Sequence, residues 1–97
     1  MLAQELIELD EAPRLVRPFS ERYPGLTANA GYAAAREAHA HRIARGWKPV
    51  GRKIGFANRT ILERYGVHEP IWGMVYDHTL VPPNTPVSLK ALAQPRI

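Results

Sequence analysis

The 97 residues predict a small α/β fold: two or three helices on a short, incomplete mixed sheet, in one domain spanning residues 1–97. Three observations carry that expectation. An alanine-rich stretch free of proline runs from Ala28 to Arg45, which is helix-forming composition. Two apolar runs, Trp47 to Ile54 and Pro70 to Tyr76, are bounded by glycine and proline and read as strands. Prolines and Pro-Gly pairs punctuate the rest into short connections.

In chain order, Leu2, Leu6 and Ile7 recur at helical spacing, so Leu2 to Glu11 is expected to form a short amphipathic helix. Pro13, Pro18 and Pro24-Gly25 then impose a loop, with Leu15, Val16 and Phe19 as its anchors to the core. Thr27 is suited to cap the next helix, because its hydroxyl can accept from a free first-turn amide. That helix should end at Arg45, with Gly46 as the residue beyond it. Tyr32, Ala35, His39 and Ile43 would share one face, and Arg42 and Arg45 suit the negative pole of the dipole. After the first strand, closed by Gly55, Asn58 can cap a short helix over Arg59 to Tyr65 that ends at Gly66. The second strand follows. A Pro82-Pro83-Asn84 turn should lead to a third strand around Thr85 to Leu89, and Leu92 to Ile97 to the start of a fourth.

Composition narrows the function classes. Apolar residues make up 45% and charged residues 23%, which suits a soluble globular chain rather than a disordered one. With no cysteine, disulfides and thiolate metal sites are excluded. No apolar run approaches the ~20 residues that span a bilayer. The N-terminus carries acids where a signal peptide would be basic, so no membrane association and a cytoplasmic location are expected. The formal net charge of +4 comes from dispersed bases, so no nucleic-acid partner is expected.

The side chains able to carry chemistry are few. His39 and His41 lie two apart on a helix, point to different faces and cannot share an ion. His68 and His78 fall in separate loops. Neither Ser20 nor Ser88 lies in a nucleophile elbow, and Gly51 to Gly55 lacks phosphate-loop spacing. The acids are Glu5, Glu8, Asp10, Glu11, Glu21, Glu37, Glu63, Glu69 and Asp77, with no ExE or DxD pair to begin a divalent-metal cage.

Lys53 stands out. Strand alternation puts Val50, Arg52 and Ile54 on one face and Gly51, Lys53 and Gly55 on the other, so the lysine rises alone from a glycine floor. Such a floor admits a ligand or another backbone, and the ammonium could hold a carboxylate or lose its proton if desolvated. The plain alternative is a surface lysine on an edge strand. Asp77 follows the second strand where the chain turns. It could orient a lysine or a water, or simply cap that turn.

These pieces, in this order, resemble the 2-keto-4-pentenoate hydratase, 2-oxohepta-3-ene-1,7-dioate hydratase and 4-oxalocrotonate decarboxylase group of the fumarylacetoacetate hydrolase superfamily. The resemblance covers Gly31 to Ile97, about two thirds of the chain. Its residues are Val50-Gly51-Arg52-Lys53-Ile54-Gly55-Phe56, then Tyr65-Gly66-Val67-His68-Glu69-Pro70-Ile71-Trp72-Gly73, then Gln94-Pro95-Arg96-Ile97. It implies a lyase of aromatic-compound catabolism that adds water to 2-hydroxy-2,4-dienoates or decarboxylates 2-oxo-enedioates. It also implies Mg²⁺ or Mn²⁺ on three acidic residues, acting as a Lewis acid on the 2-oxo acid. By position, Lys53 matches the group's catalytic and substrate-binding lysine, and Asp77 its aspartate.

The departures imply a truncated member. The group's acidic pair directly follows the segment matched by Gln94 to Ile97, and its third acid and β-rich catalytic domain come later still. His68 stands where the group has an acid. The expectation is therefore an N-terminal portion of a hydratase, inactive alone, without metal ligands and of marginal stability. The alternative is a non-enzymatic subunit that forms homo-oligomers or docks on a separate catalytic chain.

Overall fold

The structure is a computed structural model that describes residues 1–66 and 68–96. It is α/β, as expected. The helices are α1 (Leu2–Glu11), α2 (Phe19–Arg22), α3 (Ala28–Ala44) and α4 (Arg59–Arg64); the strands are β1 (Pro49–Gly55) and β2 (Ile71–Tyr76). Single 3₁₀ turns follow at Asp77–Thr79 and Leu89–Ala91. Contacts divide the chain into two compact units, one of residues 1–45 with 82–97 and one of residues 46–81.

In the first unit, α3 starts and stops where local chemistry requires. Thr27 Oγ1 accepts from the Ala30 amide at 3.1 Å, and Gly46 takes φ +92°, a left-handed conformation that costs glycine little. The buried positions of α3 lie off the row of Tyr32, Ala35, His39 and Ile43, in which Tyr32 and His39 are half-buried. Ala34 and Ala38 are buried, Ala38 completely, whereas Ala35 and Ile43 are exposed. The reason is close approach: α1 packs on α3 with Ala3 buried as well, and only methyl-sized side chains leave room for two backbones to come so near. Arg42, one turn beyond Ala38, grips Asp10 of α1 with two bonds, Nε to Oδ2 at 2.7 Å and Nη2 to Oδ1 at 2.9 Å. Arg45 pairs with Glu11 at 3.2 Å. The arginines expected to serve the helix dipole therefore also tie the two helices together.

Residues 19–22, expected in a loop, form the single-turn helix α2. Arg22 from it pairs with Glu5 of α1, and Tyr23 Oη donates to the same carboxylate at 3.3 Å. Of the three expected loop anchors, Val16 and Phe19 are half-buried, but Leu15 is exposed.

The third and fourth strands are corrected. Among the described residues, 85–89 and 92–96 contain no strand. The expected Pro82-Pro83-Asn84 turn forms, with Thr85 N–H donating to Pro82 O at 3.3 Å and Asn84 at φ +61°. Beyond it, Pro86 and Pro95 offer no amide to a ladder, and Leu89–Ala91 winds instead into a 3₁₀ turn. Ile97 lies outside the described residues.

In the second unit, β1 and β2 pair as a two-stranded antiparallel sheet rather than the expected mixed one. Asn58 Oδ1 caps α4 by accepting from the Thr60 amide at 2.9 Å, and Gly66 ends it at φ +64°. Phe56 and Tyr65 meet edge to face across the connection, 5.8 Å between centroids.

Candidate functional site

The register of the β1–β2 ladder decides what surrounds Lys53. The lysine pairs directly with Gly73, flanked by the pairs Gly51–Val75 and Gly55–Ile71. Paired residues present their side chains on the same face. The lysine face therefore carries Val75, Lys53 and Ile71 with three glycines between them. The glycine floor expected from β1 alone is thus extended by Gly73 from β2. No single-strand pattern could have shown this, because it depends on which residue lies across the ladder.

The Lys53 side chain is exposed. Its Nζ donates to the Ile54 carbonyl at 2.9 Å, and among the described residues it has no carboxylate partner. The edge-strand placement holds, since both strands of a two-stranded sheet are edges.

Asp77 sits just past β2 and does specific structural work. Its amide donates to Lys48 O at 2.9 Å, and its Oδ1 accepts from Lys48 N–H at 2.9 Å. Pro49 opens β1 opposite Tyr76 and has no amide to give, with an irregularity between Pro49 and Gly51. The Asp77 side chain replaces the ladder acceptor just before that gap. Lys53 and Asp77 are not brought together. Asp77 lies four residues beyond Gly73, about 13 Å along a strand. The ring of Trp47 next to this closure stacks on His78, 4.2 Å between centroids at 14°, and meets Tyr76 edge-on at 5.5 Å. His78 had no assigned role in the sequence; its stacking partner lies 31 positions away and leaves no local signal.

On the opposite face, Ile54 pairs with Trp72 and Arg52 with Met74, and the Arg52 guanidinium lies 5.0 Å above the Trp72 ring. Ile54 is 58% exposed and Trp72 49%. Among the described residues, no group of three or more His, Asp or Glu side chains could hold a metal ion, and no helix is long and apolar enough to cross a membrane.

No family model matches the chain. Individual proteins do. Over 95 residues it is 27% identical to the 2-keto-4-pentenoate hydratase of Paraburkholderia xenovorans (strain LB400), covering 98% of this chain and 35% of that protein. Over another 95-residue match it is 30% identical to the 2-hydroxyhexa-2,4-dienoate hydratase of Comamonas testosteroni, covering 96% of this chain and 36% of the relative. Among solved structures, it is similar to 4-oxalocrotonate decarboxylase from Pseudomonas putida G7. Complexed with calcium and acetate, that enzyme matches with TM-score 0.71 and 31% identity over 79% of this chain and 30% of that one. Complexed with magnesium and adipate, it matches with TM-score 0.74 and 26% identity over 79% and 29%.

Sequence and fold thus agree on a class, the hydratases and decarboxylases that act on small unsaturated acids. The chain is similar to members of the 2-keto-4-pentenoate hydratase and 4-oxalocrotonate decarboxylase group, and it spans about a third of the length of the relatives it matches.

Proposed function

We propose that this chain supplies the lysine-bearing hairpin of a hydratase or decarboxylase site for 2-hydroxy-2,4-dienoates or related 2-oxo-enoates in aromatic-compound catabolism. The observation that carries the reading is Lys53, standing on a face otherwise bare beside it, directly across from Gly73. In this reading its ammonium binds the substrate carboxylate and supplies a proton at Nζ. Asp77 acts in orientation, through the backbone it holds at the start of β1.

The group's magnesium or manganese does not fit the residues present, because the described acids assemble no cage. No step of this reading is routed through a metal. The metal-binding acids belong, in this reading, to polypeptide that this chain must be joined to or must dock with.

Assayed with 2-hydroxypenta-2,4-dienoate and Mg²⁺ or Mn²⁺, the 97-residue chain alone is expected to show no turnover. Mixed with the remaining portion of a 2-keto-4-pentenoate hydratase, it should restore dienoate consumption, and Lys53→Gln should lower that rate by about 10²–10⁴-fold. Enzyme-like turnover by the chain alone would refute the incompleteness, and full restoration by Lys53→Gln would refute the role of the lysine.

The exposed Ile54–Trp72 pair favours a second reading, in which the chain is a non-catalytic subunit docked on a separate catalytic chain or on a copy of itself. Size-exclusion chromatography separates the two. A folded monomer that ignores the candidate catalytic chain counts against docking.

A further inference from the structure

The face that carries Lys53 has a gap at Gly73. That glycine lies two residues from Ile71 and two from Val75, about 7 Å along the strand in either direction. Both neighbours present aliphatic side chains on the same face, and the lysine stands across the ladder. The outcome is a notch one residue wide, with hydrocarbon at both ends, peptide backbone as its floor and one ammonium at its side.

The fold does not require this bareness. Gly73 has no left-handed backbone angle, and a Cβ added there would meet no described atom within 4 Å. The same holds for Gly51, next to Lys53 on that face. Glycine inside a strand weakens it, so a residue with a side chain would serve the hairpin better. What a side chain at 73 would take away is room beside the ammonium. One of the three ammonium protons goes to Ile54 O, which leaves two for a ligand.

We propose that Gly73 is a specificity-determining position: its missing side chain admits the flat carboxylate end of a conjugated enoate, lying against the backbone with its carboxylate on Lys53 Nζ. This rests on the role of Lys53 proposed above and adds the reason for preferring flat acids. A conjugated acid is planar from its carboxylate through its double bonds and presents apolar edges to Ile71 and Val75. An acid branched at its α-carbon carries the same charge but is too thick to enter.

Titration of the ¹⁵N-labelled chain by ¹H–¹⁵N NMR tests this, with sorbate as the flat dienoate and pivalate as the branched acid. Sorbate should give saturable shifts at the Lys53 and Gly73 amides, with pivalate at least fivefold weaker. Gly73→Val should keep the far-UV circular dichroism of the parent and a Tm at or above it, yet bind sorbate at least tenfold more weakly, with Gly73→Ala between. Lys53→Gln should lose the binding. If Gly73→Val binds sorbate like the parent while Lys53→Gln does not, the role of Gly73 is overturned and that of Lys53 stands. If Lys53→Gln binds like the parent, the role of Lys53 fails and the proposal with it. No saturable shift in the parent, or equal binding of pivalate, overturns the proposal. Should Gly73→Val not fold, Gly73→Ala carries the comparison, and its unfolding too would refute the claim that the fold leaves this position open.

Discussion

Asp77 can be read as a reacting group or as part of the backbone framework, and the two readings call for different atoms. The framework needs only an acceptor at Oδ1 for Lys48 N–H, which asparagine retains. A reacting group needs the carboxylate. Asp77→Asn should therefore leave hairpin stability near the parent, whereas Asp77→Ala should cost about 0.5–1.5 kcal/mol, read by urea unfolding. In the reconstituted enzyme, Asp77→Asn with full rate would confine the residue to orientation, and its loss of rate at parental stability would assign it proton transfer. The placement of both candidates in the fold was legible in the sequence, Lys53 on a strand and Asp77 just after an apolar run. Their separation was not. It depends on the register, which pairs Lys53 with Gly73 and carries Asp77 to the end of the ladder.

At the scale of elements, charge pairs organise the first unit. Asp10 and Arg42 make a part-buried bidentate pair between α1 and α3, and removing one partner strands the other. Asp10→Ala is expected to destabilise the helix pair by about 1–3 kcal/mol, measured as a fall in the urea midpoint. Glu5 sets a pH dependence. The Arg22 hydrogen bond, opposed by desolvation and aided by the arginine's charge and Tyr23, holds its carboxyl below the ordinary glutamate value. A depressed folded value means stability that is complete above the unfolded value and lost as pH falls through the folded one. The acid limb of thermal stability should therefore flatten in Glu5→Gln relative to the parent, and an unchanged acid limb would remove Glu5 as its source. Capping of α3 by Thr27 and of α4 by Asn58 was legible because caps are local. The buried face of α3 was not, because a run of alanines has no strong periodicity and the partner helix chooses which side is covered.

For the molecule as a whole, the buried apolar residues among those described are Ala3, Ala34, Ala38 and Tyr76, three of them with a single methyl to bury. Small side chains remove little area from water, so the hydrophobic contribution is low for a chain of this length. The unfolding free energy should fall below the usual range of about 5–15 kcal/mol, with a shallow urea transition. A steep transition giving a value within that range would show that the described burial understates the core. The resemblance to the group was legible from the ordered segments around Lys53 and Gly73, and the similar relatives bear the resemblance out. The sequence by itself determined the positions of α1, α3, α4 and both strands, because helix caps, prolines and apolar runs act over a few residues. Only the tertiary structure decided that two strands rather than four form among the described residues, that alanines line the helix contact, and that a glycine faces the lysine. Each of these depends on partners distant in sequence, and local preference carries no record of which residue a fold will bring across.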